Sequence, residues 1–313
     1  MSLRRNGRDL GFYLAMVGPG VLLYLLIIAF PIVASVLLGF TDYNIADLSA
    51  ARNNGMAYMP NFVGGQWYSE MFADPLFQRA IWNNMVVIAV SVFGQIPLGF
   101  ILAYILYRKL VKGQAFFQAM VFLPNFISTI VIGILWKRIF SATGPAEQFL
   151  QWITGNPEAA ITWFQSPDTA MIPVSFVLLF MYTGFYMVIF LANLQKLDSG
   201  LVEAAQIDGA SEPQIFMKII VPMLAGVIAV NAILAISGSL KGFDLIFAMT
   251  SQGITRRNAI VLPIYMYEFA FATPKPNAQS FGAAVSNIIV ALSIALIMIS
   301  NFVKKKLGSG EVY

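Results

Sequence analysis

Six stretches of more than twenty residues, roughly 11–40, 82–107, 115–136, 170–195, 219–240 and 282–303, have no Asp, Glu, Lys or Arg at their centres. A helix rises 1.5 Å per residue, so about 20 residues cross a hydrocarbon core about 30 Å thick. A charge at the middle of such a span would cost roughly 2.5–3.5 kcal/mol on insertion scales. A membrane strand would alternate polar and apolar residues over about ten positions. The run Val21-Leu22-Leu23-Tyr24-Leu25-Leu26-Ile27-Ile28 does not alternate. The expectation is an all-α membrane protein with six transmembrane helices.

Composition agrees. Of 313 residues, 11% are charged and 58% apolar, against roughly a quarter charged in soluble proteins. Cys and His are both absent, which excludes disulfides, thiol nucleophiles, His-ligated zinc and imidazole acid–base chemistry. No Gly-x4-Gly-Lys-Ser/Thr segment occurs, so the chain is expected to bind no nucleotide and no cofactor of its own. Arg4, Arg5 and Arg8 precede the first span as in a signal peptide. The apolar stretch is about twice the length of a secretory core, and it reads as a retained anchor.

Basic residues set the orientation. With the N-terminus inside, Arg4, Arg5, Arg8, Arg108, Lys109, Lys112, Lys196, Lys218, Lys304, Lys305 and Lys306 fall in short cytoplasmic segments. The remaining Lys and Arg are spread over three longer outside segments, 41–80, 137–169 and 241–281. Both termini are therefore expected in the cytoplasm. The net charge of +4 follows from this topology and requires no nucleic acid. Turn signals punctuate the outside segments at Asn53-Asn54-Gly55, Gly64-Gly65, Asp74-Pro75, Gly144-Pro145, Gly155-Asn156-Pro157, Ser166-Pro167-Asp168 and Pro274-Lys275-Pro276. No loop could hold a soluble domain of about 100 residues, so 1–313 reads as a single transmembrane domain.

One cytoplasmic loop, 197–218, is patterned. It contains Glu203-Ala204-Ala205-Gln206-Ile207-Asp208-Gly209, then nine residues to Ile219 and Val221-Pro222. Asp198 or Ser199 can cap a short helix through Ile207. Gly209 permits a turn that a side chain would resist. Ser211-Glu212-Pro213-Gln214 reads as a new helix start, with a capping residue, Pro in the first turn and Gln three residues on. The predicted unit is helix, Gly-centred turn and helix, feeding into the fifth span. Ala204 and Ala205 let a partner surface come close, and Glu203 offers it a carboxylate. A plain solvated turn is the competing reading from composition alone.

This segment resembles the EAA loop of inner-membrane permeases of ATP-binding-cassette importers (type I), and is similar to the carbohydrate branch of maltose, glycerol-3-phosphate and trehalose type. The similarity extends over nearly the whole chain, through Phe40-Thr41-Asp42-Tyr43, Phe62-Val63-Gly64, Phe77 to Asn84, Pro124 to Trp136, Phe243-Asp244 and Phe281-Gly282-Ala283-Ala284. Departures are Val221 for the usual Leu, Met85 for Thr, Thr250-Ser251-Gln252-Gly253 for Thr-x-Gly-Gly-Pro, and Gly144-Pro145 in place of a Gly-Leu-hydrophobic-Asn segment. The resemblance implies a pathway formed with a second permease subunit, expected to be a different chain. It also implies a dimeric ATPase that binds ATP and Mg, and an extracytoplasmic solute-binding protein that delivers a sugar. Glu203, Ala204, Ala205 and Gly209 would contact or shape the ATPase interface, with Asp208 and Ser211 alongside.

By the same resemblance, sugar contacts would come from Thr183 and Tyr186 on the fourth span and from Ser239 and Gly242 on the fifth. Asn84, Gln95, Asn125, Ser128 and Asn231 are further polar residues available to line a path, or to make packing hydrogen bonds between helices. Lys241 and Asp244 stand at i, i+3 and could pair. Rival readings are a permease for a non-sugar solute and an ion-coupled secondary transporter. The second would want intramembrane carboxylates, which the span centres lack.

Overall fold

The computed structural model describes residues 7–156, 161–250, 253–272 and 277–306. Arg4, Arg5, Pro157, Ser251, Gln252 and the Pro274-Lys275-Pro276 turn lie outside the described residues. Helix dominates, and among the described residues the sole β feature is an isolated antiparallel bridge between Thr41 and Phe62. The principal helices are α1 (7–38), α2 (Pro75–Tyr107), α3 (Gln114–Phe126), α4 (Thr129–Ile139), α5 (Met171–Leu194), α6 (Ser199–Ile207), α7 (Glu212–Met223), α8 (Ala225–Lys241), α9 (Asp244–Met249) and α10 (Ala278–Lys306).

Among the described residues, four helices are long and apolar enough to cross a membrane, at Ala15–Leu38, Pro75–Tyr107, Met171–Leu194 and Ala278–Phe302. The count reaches six if two bent pairs are each one span. These are α3 with α4, bent by 96°, and α7 with α8, bent by 72°. The expected third and fifth spans are therefore not straight rods. Their bends have local causes. Pro124 sits in a 3-10 turn, Leu123–Phe126, that ends α3. Ile127 is then extended before Ser128 opens α4. Leu224 leaves helical geometry (φ −98°, ψ 13°) between α7 and α8.

Of the four five-residue π-helical turns among the described residues, three fall at Leu25–Ala29, Ser91–Gln95 and Phe216–Ile220. Each precedes a proline by two residues: Pro31, Pro97 and Pro222. Proline lacks an N–H and clashes with the carbonyl four residues back, here Ile27, Phe93 and Lys218. Widening the turn around that carbonyl keeps the helix continuous.

The chain divides into two compact units, 1–73 with 266–288, and 74–265 with 289–313. In the first, Phe40 accepts a hydrogen bond from Val63 N (2.9 Å), and the Asp42 carboxylate accepts from Asn61 N and Nδ2 (2.6 and 2.9 Å). The Asn61 side-chain bond, with backbone bonds beside it, holds the Asp42 carboxyl below its ordinary value. Trp67 Nε1 donates to Thr41 O (2.7 Å), so segments 40–43 and 61–67 form one turn system. Asn287 of α10 donates to Val36 O and to Tyr68 Oη, where Gly39 lets α1 approach Ala284.

The second unit is built around α5. Gly99 of α2 lies against Thr183, Tyr186 and Met187, while Val121 and Phe122 of α3 press on Gly184. Small residues at such crossings let backbones approach closely. Asp74 caps α2 by accepting from Leu76 N (2.9 Å) and also accepts from Tyr265 Oη (2.7 Å). The buried cluster of this unit takes Ile96, Phe100 and Tyr104 from α2 and Met187, Phe190 and Leu194 from α5.

Candidate functional site

The patterned loop folds as helix, turn and helix. Asp198 caps α6, its carboxylate accepting from Gly200 N at 3.0 Å. Gly209 adopts φ +81°. Ala210 N donates to Ala205 O (2.9 Å) and Gly209 N to Gln206 O (3.0 Å). These two bonds are a Schellman closure, which satisfies carbonyls that the helix end would leave unpaired. Ser211 then opens α7, with Gln214 Oε1 accepting from its backbone N–H at 2.8 Å.

Burial along this elbow is sharply divided. Val202 and Ile215 are buried in the cluster that contains Leu106, Phe190 and Leu194, with Ala205 and Ala210 packed partly against it. Glu203, Ala204, Asp208, Gly209 and Ser211 are exposed, as are Leu201 and Ile207. The sequence-predicted residues thus share an outward surface on an anchored elbow, with Ala205 half-buried at its edge.

Sequence reasoning missed the residue that fastens the elbow. Glu212, the first residue of α7, accepts from Arg108 through Nη2 to Oε1 (2.7 Å) and Nε to Oε2 (3.1 Å). Tyr104 Oη donates to Glu212 Oε2 at 2.6 Å. The Arg108 guanidinium, followed by the Tyr104 hydroxyl, holds the Glu212 carboxyl below its ordinary value. Glu212 precedes the apolar run of α7. Its only sequence signal is an acid at a helix start, a position also explained by the helix dipole.

A second feature is a cavity of about 290 Å³ among α2, α5, α8 and α9, lined by Ser91, Gln95, Tyr182, Tyr186, Ser239 and Asp244, among others. The π-helical turn of α2 supplies Ser91 and Gln95. Ser239 Oγ donates to Ser91 Oγ (3.1 Å), and Gln95 Nε2 to Leu178 O (3.0 Å). Tyr186, Ser239 and Gly242 therefore line one space. Thr183 does not line it; it lies on the same helix, buried, and its Oγ1 has no hydrogen-bond partner among the described residues.

The other polar candidates do not face this cavity. Asn84 is fully buried, donating to Ser239 O (3.1 Å) and accepting from Leu262 N (2.7 Å), and so ties α2 to α8. Asn231 donates to Val227 O of its own helix. Asn125 sits in the 3-10 turn at the end of α3, and Ser128 opens α4. Lys241 and Asp244 both line the cavity, yet no ion pair joins them: α8 ends at Lys241 and Gly242 turns the chain before α9 begins.

At the other end of this unit from Arg108 on α2, Asn258 gathers three segments. Its Oδ1 accepts from Arg79 Nη1 (3.1 Å), and its Nδ2 donates to Phe164 O and Gln165 O (3.2 and 2.7 Å). Asn83 donates to Asn258 O (3.0 Å). Asn258 is 4% exposed, so removing its amide strands the buried Phe164 carbonyl and loses two part-buried bonds, to Arg79 and Gln165. Asn258→Leu is expected to lose about 2–4 kcal/mol of stability. A thermal unfolding midpoint within 1 °C of wild type in detergent, on the order of no change, would refute this.

The chain matches a protein family over residues 95–308, described as the binding-protein-dependent transport system inner membrane component. It is 32% identical to a probable ABC transporter permease protein, YurN, of Bacillus subtilis (strain 168), over 75% of this chain and 80% of that protein. It is 31% identical to the multiple sugar-binding transport system permease protein MsmF of Streptococcus mutans serotype c, over 80% of this chain and 83% of that protein. Its fold is similar to a bacterial ABC transporter involved in the import of the acidic polysaccharide alginate, with a TM-score of 0.78, 21% identity, and coverage of 97% and 98% of the two chains. Through the family match and the two permeases it resembles, this chain belongs to the binding-protein-dependent transport system inner membrane components, the membrane-embedded permease subunits of ABC transporters.

Proposed function

We propose that this chain carries a sugar or oligosaccharide across the bacterial inner membrane as one permease subunit of an ATP-binding-cassette importer. An extracytoplasmic binding protein delivers the solute, and a dimeric ATPase that binds ATP and Mg supplies the work. The observation that carries the reading is the elbow at 198–214, anchored by Val202 and Ile215 while Glu203, Ala204, Asp208 and Gly209 stay exposed. A connector with no partner would have no reason to hold an acidic, small-residue surface outward on a fastened support. Ala205 and Ser211 complete the ATPase-docking surface at 203–211.

Six spans with both termini in the cytoplasm fit the contacts within the larger unit. Arg108 and Glu212 come from two loops assigned inside, and they bond each other. Arg79, Gln165 and Asn258 come from three segments assigned outside, and they also meet. Within its own compact unit, the apolar window of Ala15–Leu38 has no residue buried among the described residues, which suits lipid and a second, different permease chain as its neighbours. We take both compact units as parts of one transmembrane domain, with 197–218 as the coupling loop inside it.

The cavity suits a sugar because tyrosine rings and neutral hydroxyl and amide groups converge on it. Similarity to a permease named for multiple sugars points the same way. A second reading, a charged solute, is favoured by Lys241 and Asp244 in the same wall. Gly238 offers a direct test, because it lines the cavity and a Cβ placed there meets nothing within 4 Å. Gly238→Trp should fill the space without disturbing the helices and lower ATP-dependent uptake at least about tenfold. Unchanged uptake in a complex that still assembles would remove the cavity from the path, and competition by charged against neutral solutes would separate the two readings.

A further inference from the structure

We propose that Glu212 is a positioning residue for transport: with Arg108 and Tyr104 it forms a strut that carries movement of the elbow into α2, separately from the backbone route through α7 into α8. The proposal rests on the reading of the elbow as the ATPase contact.

The geometry is that of a rigid joint. Arg108 and Tyr104 are four residues apart at the end of α2, so both face the same way. Together they make three hydrogen bonds to one carboxylate, of 2.6, 2.7 and 3.1 Å, two of them from the planar guanidinium fork. A bidentate fork fixes direction as well as distance, whereas apolar packing lets helices slide. Phe216, in the π-helical turn of α7, packs on Tyr104 and Phe100 at 4.9 and 5.0 Å, and backs the joint from the apolar side. Glu212 follows the Gly209 turn by three residues, so a displacement of α6 reaches it before it reaches α8.

The far end of the same helix segment is equally specific. Residues 96–107 of α2 run without a break, about 18 Å at 1.5 Å per residue, back to the turn that places Ser91 and Gln95 in the cavity wall. A push at Arg108 therefore acts on a straight lever whose pivot is the π-helical turn before Pro97. The bland account is a partly exposed ion pair that adds little to stability. That account predicts no change in how cavity and ATPase communicate.

The chain has no cysteine, so Gly238→Cys gives a single thiol in the cavity wall for a maleimide probe. The full complex with its ATPase is labelled with and without ATP plus vanadate. In the otherwise native chain, nucleotide should alter the labelling rate. Glu212→Gln or Arg108→Ala should shrink that nucleotide response at least about fivefold, the lower end of ordinary coupling between sites, with ATP hydrolysis kept within about twofold. The exchange Arg108→Glu with Glu212→Arg should restore most of the response. Tyr104→Phe keeps the ring packing and should give a smaller loss in the same direction; it carries the test if a charge variant fails to assemble. A full nucleotide response in the single variants overturns the strut. Absence of any crosslink between the elbow and the ATPase in the native complex overturns the docking reading instead, and the strut with it.

Discussion

Replacing Gly184 with leucine is expected to prevent the larger unit from folding, with a loss of about 3 kcal/mol or more. A Cβ at this position runs into the Val121 carbonyl and comes within 2.9 Å of Phe122 Cα. Both obstacles are backbone of α3, so no rotamer change relieves them. Gly99 of α2 packs on a neighbouring face of the same stretch of α5, its Cβ position 2.9 Å from both Thr183 O and Met187 N. The same crossing positions Tyr186, so the cavity would be lost with the fold. Gly226→Leu is the control, because nothing lies within 4 Å of a Cβ there. The measurement is the fraction of detergent-solubilised chain that elutes as a monodisperse species. Equal recovery of the Gly184 and Gly226 variants would refute the packing argument.

What could be read from the sequence was mostly what is local in the chain. Asp198, Gly209, Ser211 and Gln214 act on neighbours within a few residues, and the elbow they build follows the expected helix, turn and helix. Hydropathy found the apolar segments but not their shape, because the 96° and 72° bends depend on short irregular turns at Ile127 and Leu224 that leave mean hydropathy unchanged. Contacts between distant segments left almost no trace. Arg108 and Glu212 are separated by 104 residues, and Asn258 reaches partners 93 to 179 residues away. For buried amides, polarity alone does not separate a lining residue from a packing one. Asn84 and Gln95 are equally plausible as lining residues, yet Asn84 is committed to Ser239 O and Leu262 N while Gln95 reaches the cavity. The pairing of Lys241 with Asp244 failed for a similar reason, since i, i+3 spacing brings charges together only if the helix continues through both.

Glu203→Ala should abolish most ATP-dependent uptake while leaving the chain's own fold intact. The two halves of this expectation rest on one feature: Glu203 is exposed, whereas its neighbour Val202 is 2% exposed and anchors α6. Truncating a carboxylate that pairs with a cation in a desolvated interface costs roughly 2–5 kcal/mol, which is at least about thirtyfold in association. Surface substitutions away from such contacts usually stay within about 0.5 kcal/mol, so a purely solvated Glu203 would leave transport untouched. Ile207, 86% exposed on the same elbow, provides the companion measurement. A single cysteine from Ile207→Cys should crosslink to the ATPase in the native background, and the yield should fall when Glu203→Ala is added. Val202→Ala addresses the support rather than the contact, and should lower folded yield and crosslinking together. If Glu203→Ala preserved both uptake and crosslinking, the carboxylate would not be part of the docking surface, and the hold on the ATPase would have to come from the small residues and the Gly209 turn.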